Sequence, residues 1–234
     1  MPRMLEFQNV SLSLQKKEVL KNINFTVAPG EMVAILGASG TGKTSIFRLL
    51  LGELKPTLGS IQLDDFALEK LSYSNLQKYR RQIGVVFQDF QLLPQKTVFE
   101  NVAFALEVCG EEEKISRKVP ELLKLVDLWE KRDQFPDTLS GGEKQRTAVA
   151  RALIHNPKIL IADEATGNLD PQNSKDIAAL FHVLHREKKI TTLFATHDPI
   201  LVEALKPRII RLEDGKILFD KKGVTLAEAF AGMI

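Results

Sequence analysis

Gly37-Ala38-Ser39-Gly40-Thr41-Gly42-Lys43-Thr44 fits the pattern G-x-x-x-x-G-K-[ST]. It lies between an apolar run, Met32-Val33-Ala34-Ile35-Leu36, and a stretch of helical character from about Gly42 to Leu51. The apolar run suits a strand buried on both faces of a parallel sheet. A strand that enters a glycine-rich turn and leaves it as a helix aims backbone N–H groups, and the positive helix end, at one point. Phosphate oxygens fit there, held by the loop from Gly37 through Thr44 and by Ser45 just inside the helix. Lys43 is placed to reach the β- and γ-phosphates of a nucleotide, and the Thr44 hydroxyl to ligate Mg²⁺. A glycine turn with a chance lysine is the competing reading; the strand before it and the helix after it weigh against that.

The rest of the chain alternates strands and helices, which implies a mostly parallel sheet with ligands at the carboxyl ends of its strands. Leu5–Val10 and Asn22–Val27 read as strands around a hairpin tip at Gln15–Glu18, with a turn at Pro29-Gly30. Gly59–Leu63, Ile83–Phe87, Ile159–Ala162 and Thr191–Thr196 read as further strands, and Ile209–Leu212 with Lys216–Asp220 as a closing pair. From Thr97 to Ile154 the periodicity is helical, with Pro120 at a first helical position and an apolar stripe of Leu122, Leu123, Val126, Leu125 and Trp129. Roughly Asp89 to His155 is therefore expected as a helical lobe inserted into an α/β core. A helix is expected over Asp176–Lys189, and Tyr79-Arg80-Arg81 reads as a solvated turn.

Two acids end the strand Ile159–Ala162. Asp163 is placed to hold Mg²⁺ through water, and Glu164 to polarise an attacking water as general base. They could instead cap the next helix, but the phosphate loop upstream favours chemistry. An N-K-x-D motif for reading guanine is absent. Leu139-Ser140-Gly141-Gly142-Glu143-Lys144-Gln145-Arg146 is an S-x-x-E capping box opening a helix. Its two glycines let a phosphate approach the backbone, so it is a second anion-binding helix end in one chain.

With these motifs in this order, the chain resembles the ATP-binding cassette ATPases over nearly its whole length. The resemblance covers Walker A at Gly37–Thr44, a Q-loop glutamine at Gln88, the signature Ser140-Gly141-Gly142-Glu143, and Walker B at Ile159–Asp163 with Glu164. It extends to a D-loop at Asn168-Leu169-Asp170 and a switch histidine, His197. It implies an α/β P-loop NTPase (RecA-like) core over residues 1–88 and 156–234, with an N-terminal antiparallel β-subdomain and an inserted α-helical lobe over 89–155. It also implies two ATP molecules sandwiched in a homodimer, with Ser140 and Gly142 acting on the ATP held by the other subunit's Walker A. Glu164, His197 and Gln88 would be catalytic. Asp170 would lie at the nucleotide, and Gln88 would join Thr44 and Asp163 near Mg²⁺ and link the site to the lobe where a membrane partner docks. The adenine-stacking aromatic usual in the family is replaced by Leu14, which keeps an apolar contact and loses the π-face.

Val85–Pro94, Thr97–Val108 and Thr166-Gly167-Asn168-Leu169-Asp170 look like the cell-division branch of the family, the FtsE type, which pairs with a membrane protein of the FtsX type. The LolD and MacB types, which serve lipoprotein release and peptide or drug export, share part of this pattern. Some of Phe90, Leu92, Leu93, Phe99 and Phe104 are expected to line the partner groove and the rest to be core. Gln88 and Ser140 are too close in sequence for the long coiled coil of DNA-repair clamps. Composition agrees with a partner-borne membrane contact. The 234 residues carry 32 Lys+Arg against 30 Asp+Glu, a net charge of +2 that offers no bulk field for nucleic acid. No apolar run approaches the ~20 residues of a membrane span, and Met1-Pro2-Arg3-Met4 opens no signal peptide. The single cysteine, Cys109, excludes an intrachain disulfide and fits a reducing compartment. A cytoplasmic protein, peripheral on the inner face of the cell membrane through its partner, is the expectation.

Overall fold

The computed structural model describes residues 4–167 and 169–232. Met1–Arg3, at which the chain opens, and Asn168 of the D-loop lie outside them. The chain starts with β1 (Leu5–Leu14) and β2 (Lys17–Val27). Gln15 and Lys16 turn between them with φ of 48° and 66°, the paired left-handed geometry that matches strand twist in a two-residue hairpin. There follow β3 (Met32–Leu36), α1 (Lys43–Leu50), β4 (Leu58–Leu63), β5 (Phe66–Ala67), α2 (Tyr73–Arg80) and β6 (Ile83–Val86). Next come α3 (Val98–Cys109), α4 (Ile115–Leu125), α5 (Gly141–Leu153), β7 (Ile159–Asp163) and α6 (Pro171–Lys188). The chain continues with β8 (Thr191–Ala195), α7 (Pro199–Leu205), β9 (Arg208–Glu213), β10 (Lys216–Lys221) and α8 (Leu226–Phe230).

Two sheets organise these elements. The larger has the order β10-β9-β3-β8-β7-β6, parallel throughout except for β10 against β9. The smaller, β2-β1-β4-β5, is antiparallel. All five residues of β3 are buried, as a strand covered on both faces must be. One apolar cluster joins one face of the large sheet to α3, α4, α5 and α6, through Val102, Leu122, Val149, Ile177 and Phe194. A second fills the space between the two sheets and α1, with Ile35, Ile46, Leu193 and the stacked rings of Phe7 and Phe25, 4.5 Å apart. The carboxyl ends of β3, β8, β7 and β6 open on one edge of the sheet, which positions the site.

Four expectations need correction. The helix expected from Asp176 begins at Pro171: Asp170 caps it and Pro171 occupies its first turn, the two start signals of a helix lying ahead of its apolar period. Pro120 lies inside α4, because the helix is entered from the preceding turn of Glu112–Lys114. Tyr79 and Arg80 belong to α2 rather than to a solvated turn. Tyr79 is fully buried with its hydroxyl donating to the Leu50 carbonyl, and Arg80 Nε donates to Leu51 O at 3.0 Å. Leu125 of the apolar stripe is exposed. Phe90, Leu92 and Phe99 pack against the first cluster, while Phe104 is exposed.

Candidate functional site

The loop after β3 closes tightly. A Cβ on Gly37 would stand 2.5 Å from Thr41 Oγ1 and 2.7 Å from Leu212 O. Gly42 has φ 108° and faces Leu20 Cδ2, which a Cβ would approach to 2.5 Å. Only glycine fits either place, so the bulk-free loop follows from packing against β9 and β2. Lys43 is buried, and its Nζ donates to Gly37 O at 2.8 Å and Ala38 O at 3.1 Å. The ammonium thus lies folded across the loop, and Ala38, Ser39 and Gly40 are exposed around it. Thr44 is exposed and Ser45 half-buried in the first turn of α1.

β7 delivers the two carboxylates. Burial pushes the Asp163 carboxyl above its ordinary value, and Glu164 adds to this while the nearby Thr44 hydroxyl and Lys43 act against it. Glu164 leaves the strand at φ 50°, yet its N–H still pairs with Ala195 O at 3.0 Å. That turn directs its side chain to the loop. Glu164 Oε1 lies 3.9 Å from Lys43 Nζ and 3.5 Å from Nδ1 of His197, which follows β8 and is exposed. Gln88 follows β6 and is also exposed; a Cβ added to Gly167 would stand 3.2 Å from its Nε2 and 3.6 Å from Glu164 Cβ. Lys43, Thr44, Asp163, Glu164, His197 and Gln88 therefore converge from four strand ends.

The signature turn has other neighbours. Ser140 caps α5 and completes the capping box with Glu143, whose carboxylate also pairs with Lys131. Gly141 is half-buried and Gly142 buried. A Cβ on Gly142 would meet Asn173 Oδ1 at 2.0 Å, so this glycine admits a side chain of α6. Among the described residues, no recorded hydrogen bond or ion pair of Ser140 or Glu143 reaches the phosphate loop. Asp170 accepts from the N–H groups of Gln172 and Asn173 and from the Asn173 amide, which holds its carboxyl below the ordinary value. Leu14 is half-buried at the end of β1, against the second cluster. The Asn173 contact carries no sequence signal, since only the fold sets α6 against α5.

These strand-end groups match what a nucleotide triphosphatase needs, and comparison with known proteins names the family. The ABC transporter family profile matches residues 20–167. The chain belongs to the ABC transporter family. As a cassette of this family it binds ATP and hydrolyses it. It is 46% identical over 203 residues to the cell division ATP-binding protein FtsE of Streptococcus pneumoniae, covering 86% of this chain and 88% of that one. The FtsE of Mycobacterium tuberculosis is 45% identical over 207 residues, 88% of this chain and 90% of the other. The methionine import ATP-binding protein MetN of Vibrio vulnificus is 44% identical over 213 residues, covering 91% of this chain and 61% of that protein. Among solved structures, a dimeric ATP-binding cassette in a post-hydrolysis state bound to ADP and Pi superposes with a TM-score of 0.82 at 34% identity. That match covers 95% of this chain and 100% of the other. Among the described residues, no helix of this cassette is long and apolar enough to cross a membrane.

Proposed function

We propose that this cassette is the ATPase subunit of a cell-division complex, working as a homodimer with an integral membrane partner of the FtsX type. The observation that carries it is the 46% identity to FtsE, which spans nearly the full length of both chains; the MetN match leaves more than a third of the relative uncovered. In the dimer, the loop from Gly37 to Thr44 cradles the phosphates of one ATP and Lys43 shifts from its own loop carbonyls to the β- and γ-phosphates. Glu164 accepts a proton from the attacking water, and His197 and Gln88 orient that water from either side. Thr44, in the first turn of α1, and Asp163, its neighbour at the end of β7, supply two hard oxygens of the kind Mg²⁺ takes beside phosphate. They would hold the ion, with Gln88 nearby, and its charge would offset the charge on the transferring phosphoryl group. Ser140, Gly141, Gly142 and Glu143 present the second helix end to the other subunit's nucleotide, with Asp170 fixing the loop beside them. Leu14 offers the base an apolar contact.

The partner binds between α2, β6, α3 and α5. Phe104, Val108 and Phe87 give that groove an apolar floor, Arg80, Arg81 and Arg151 rim it, and among the described residues no carboxylate lines it. A partner helix with acidic residues fits this surface. Through it the cassette sits on the inner face of the cell membrane. The test is to express Glu164→Gln in a host whose own cassette is depleted, and to purify it with the membrane protein encoded beside it. Co-purification together with a block in division supports the reading. Normal division with loss of lipoprotein release, export or solute uptake overturns it in favour of another branch of the family.

A further inference from the structure

α5 runs from Gly141 to Leu153 behind its cap Ser140, and its last turn carries Arg151. The Arg151 guanidinium reaches across to the loop after β6, where Nη1 donates to Gln91 O at 2.6 Å and Nη2 to Phe90 O at 2.9 Å. The two residues it grips are both left-handed: Phe90 has φ 59° and Gln91 φ 45°. L side chains avoid that region, and among the described residues Phe90-Gln91, unlike Gln15-Lys16, has no hairpin ladder on either side to support two such residues in succession. Local bonds are few, Phe90 N–H to Phe87 O at 3.2 Å and Gln91 N–H to Asp89 O at 2.6 Å. Arg151 supplies the support with a planar fork that spans two successive carbonyls, a geometry a lysine cannot copy. Burial works against its charge, and among the described residues no ion pair of Arg151 is recorded. Gln88 lies two residues before this pair, beside Gly167 and Glu164. Gln91 and Arg151 also line the groove assigned above to the partner.

We propose that Arg151 is a positioning residue for hydrolysis: by holding Phe90 and Gln91 left-handed it fixes where Gln88 stands beside Glu164. One rigid helix then carries the signature cap at one end and the clamp on the Gln88 loop at the other. A partner segment that enters the groove meets the clamp directly, so its docking bears on Gln88 without touching the nucleotide. The proposal rests on reading Gln88 as part of the hydrolytic site.

The test measures ATP turnover, ATP affinity, thermal stability and amide hydrogen exchange of residues 87–92 in the full chain. It compares the parent with Arg151→Met, which keeps the stem, with Arg151→Lys, which keeps the charge, and with Gln88→Ala. The expected result for Arg151→Met is a fall in kcat of about tenfold, as misplacement of an orienting group gives, with ATP affinity within about twofold of the parent. Exchange at residues 87–92 quickens. Arg151→Lys falls between the two, because a single ammonium reaches one carbonyl at a time, and it decides the matter if Arg151→Met does not fold. Unchanged kcat, or unchanged exchange in this loop, overturns the proposal, as does a kcat loss no larger than the loss of folded protein. Parent-like turnover in Gln88→Ala overturns the underlying reading of Gln88, whereas slow Gln88→Ala beside normal Arg151 variants overturns the clamp alone.

Discussion

Glu164 shows how one backbone angle brings a carboxylate to its neighbours. At φ 50° it stands in a region that costs a non-glycine residue roughly 1 kcal/mol or more. The N–H bond to Ala195 and the turn closed by Gly167 N–H to Glu164 O at 2.9 Å hold it there. The return is a carboxylate carried out of the sheet to within 4 Å of both Lys43 Nζ and His197 Nδ1. Glu164→Gln keeps shape and hydrogen bonding but cannot take a proton. Turnover is expected to fall by about 10²–10⁴-fold, while calorimetry finds ATP still bound. Lys43→Ala is expected to give the opposite pattern, a loss of ATP affinity itself, because the buried ammonium proposed to meet the phosphates is gone. Near-normal turnover in the glutamine variant removes Glu164 from the base role. The motifs picked these residues out one by one, and the structure brings Lys43 Nζ and His197 Nδ1 within 4 Å of the Glu164 carboxylate. Asn173 against Gly142, and Arg151 against Phe90 and Gln91, were not legible. They are contacts between elements far apart in sequence, and no local pattern encodes them.

Among the elements, those with strong local signals agreed best with sequence. β3 read as a continuous apolar run and is buried along its length; β9 and β10 read as a closing pair and are one. α6 was misread at its start because its first turn, Pro171-Gln172-Asn173-Ser174, has only Ser174 buried, so the cap and the proline were the informative signals. α2 escaped because its eight residues bury Tyr79 alone. The packing of α5 on β6 also has a pH signature. His155, just past α5, is mostly withdrawn from water, and that burial dominates and pushes its pKa below the ordinary value, with the Ile83 backbone and Glu111 acting against it and Lys118 in the same sense. The unfolded chain therefore takes up this proton first as pH falls. The contribution of His155 is fully present above about pH 6.5 and is lost as pH drops from there through the folded-state value. In denaturant unfolding between about pH 7.5 and 5, the parent should lose stability more steeply than His155→Gln. Equal slopes would assign the acid sensitivity to other groups.

At the scale of the whole molecule, the phosphate loop and the signature are both glycine-bearing helix N-termini, and within one chain their bonds run to different neighbours. Under the reading proposed above, a head-to-tail pair of cassettes would give each loop a signature from the other subunit, and each composite site would then have two helix ends around one nucleotide. Mixing two inactive variants tests this. Lys43→Ala removes one half of the site. The other lesion has to spare the fold, which excludes a side chain at Gly142, where Asn173 Oδ1 would lie 2.0 Å from a Cβ. Ser140→Asp serves instead: Ser140 is exposed, aspartate caps helices as well as serine does, and its charge repels an incoming phosphate. Each variant alone forms only sites with a lesion. A mixed dimer has one site with both lesions and one with none, so hydrolysis in the mixture should exceed that of either variant alone. If the two sites must fire together the mixture stays silent, and geometry has to be read directly. Cysteines placed at Ser39 and at Ser140, in a chain whose Cys109 is replaced by serine, should crosslink between subunits in the presence of ATP and Glu164→Gln. Crosslinks found only within one chain would rule out the shared site.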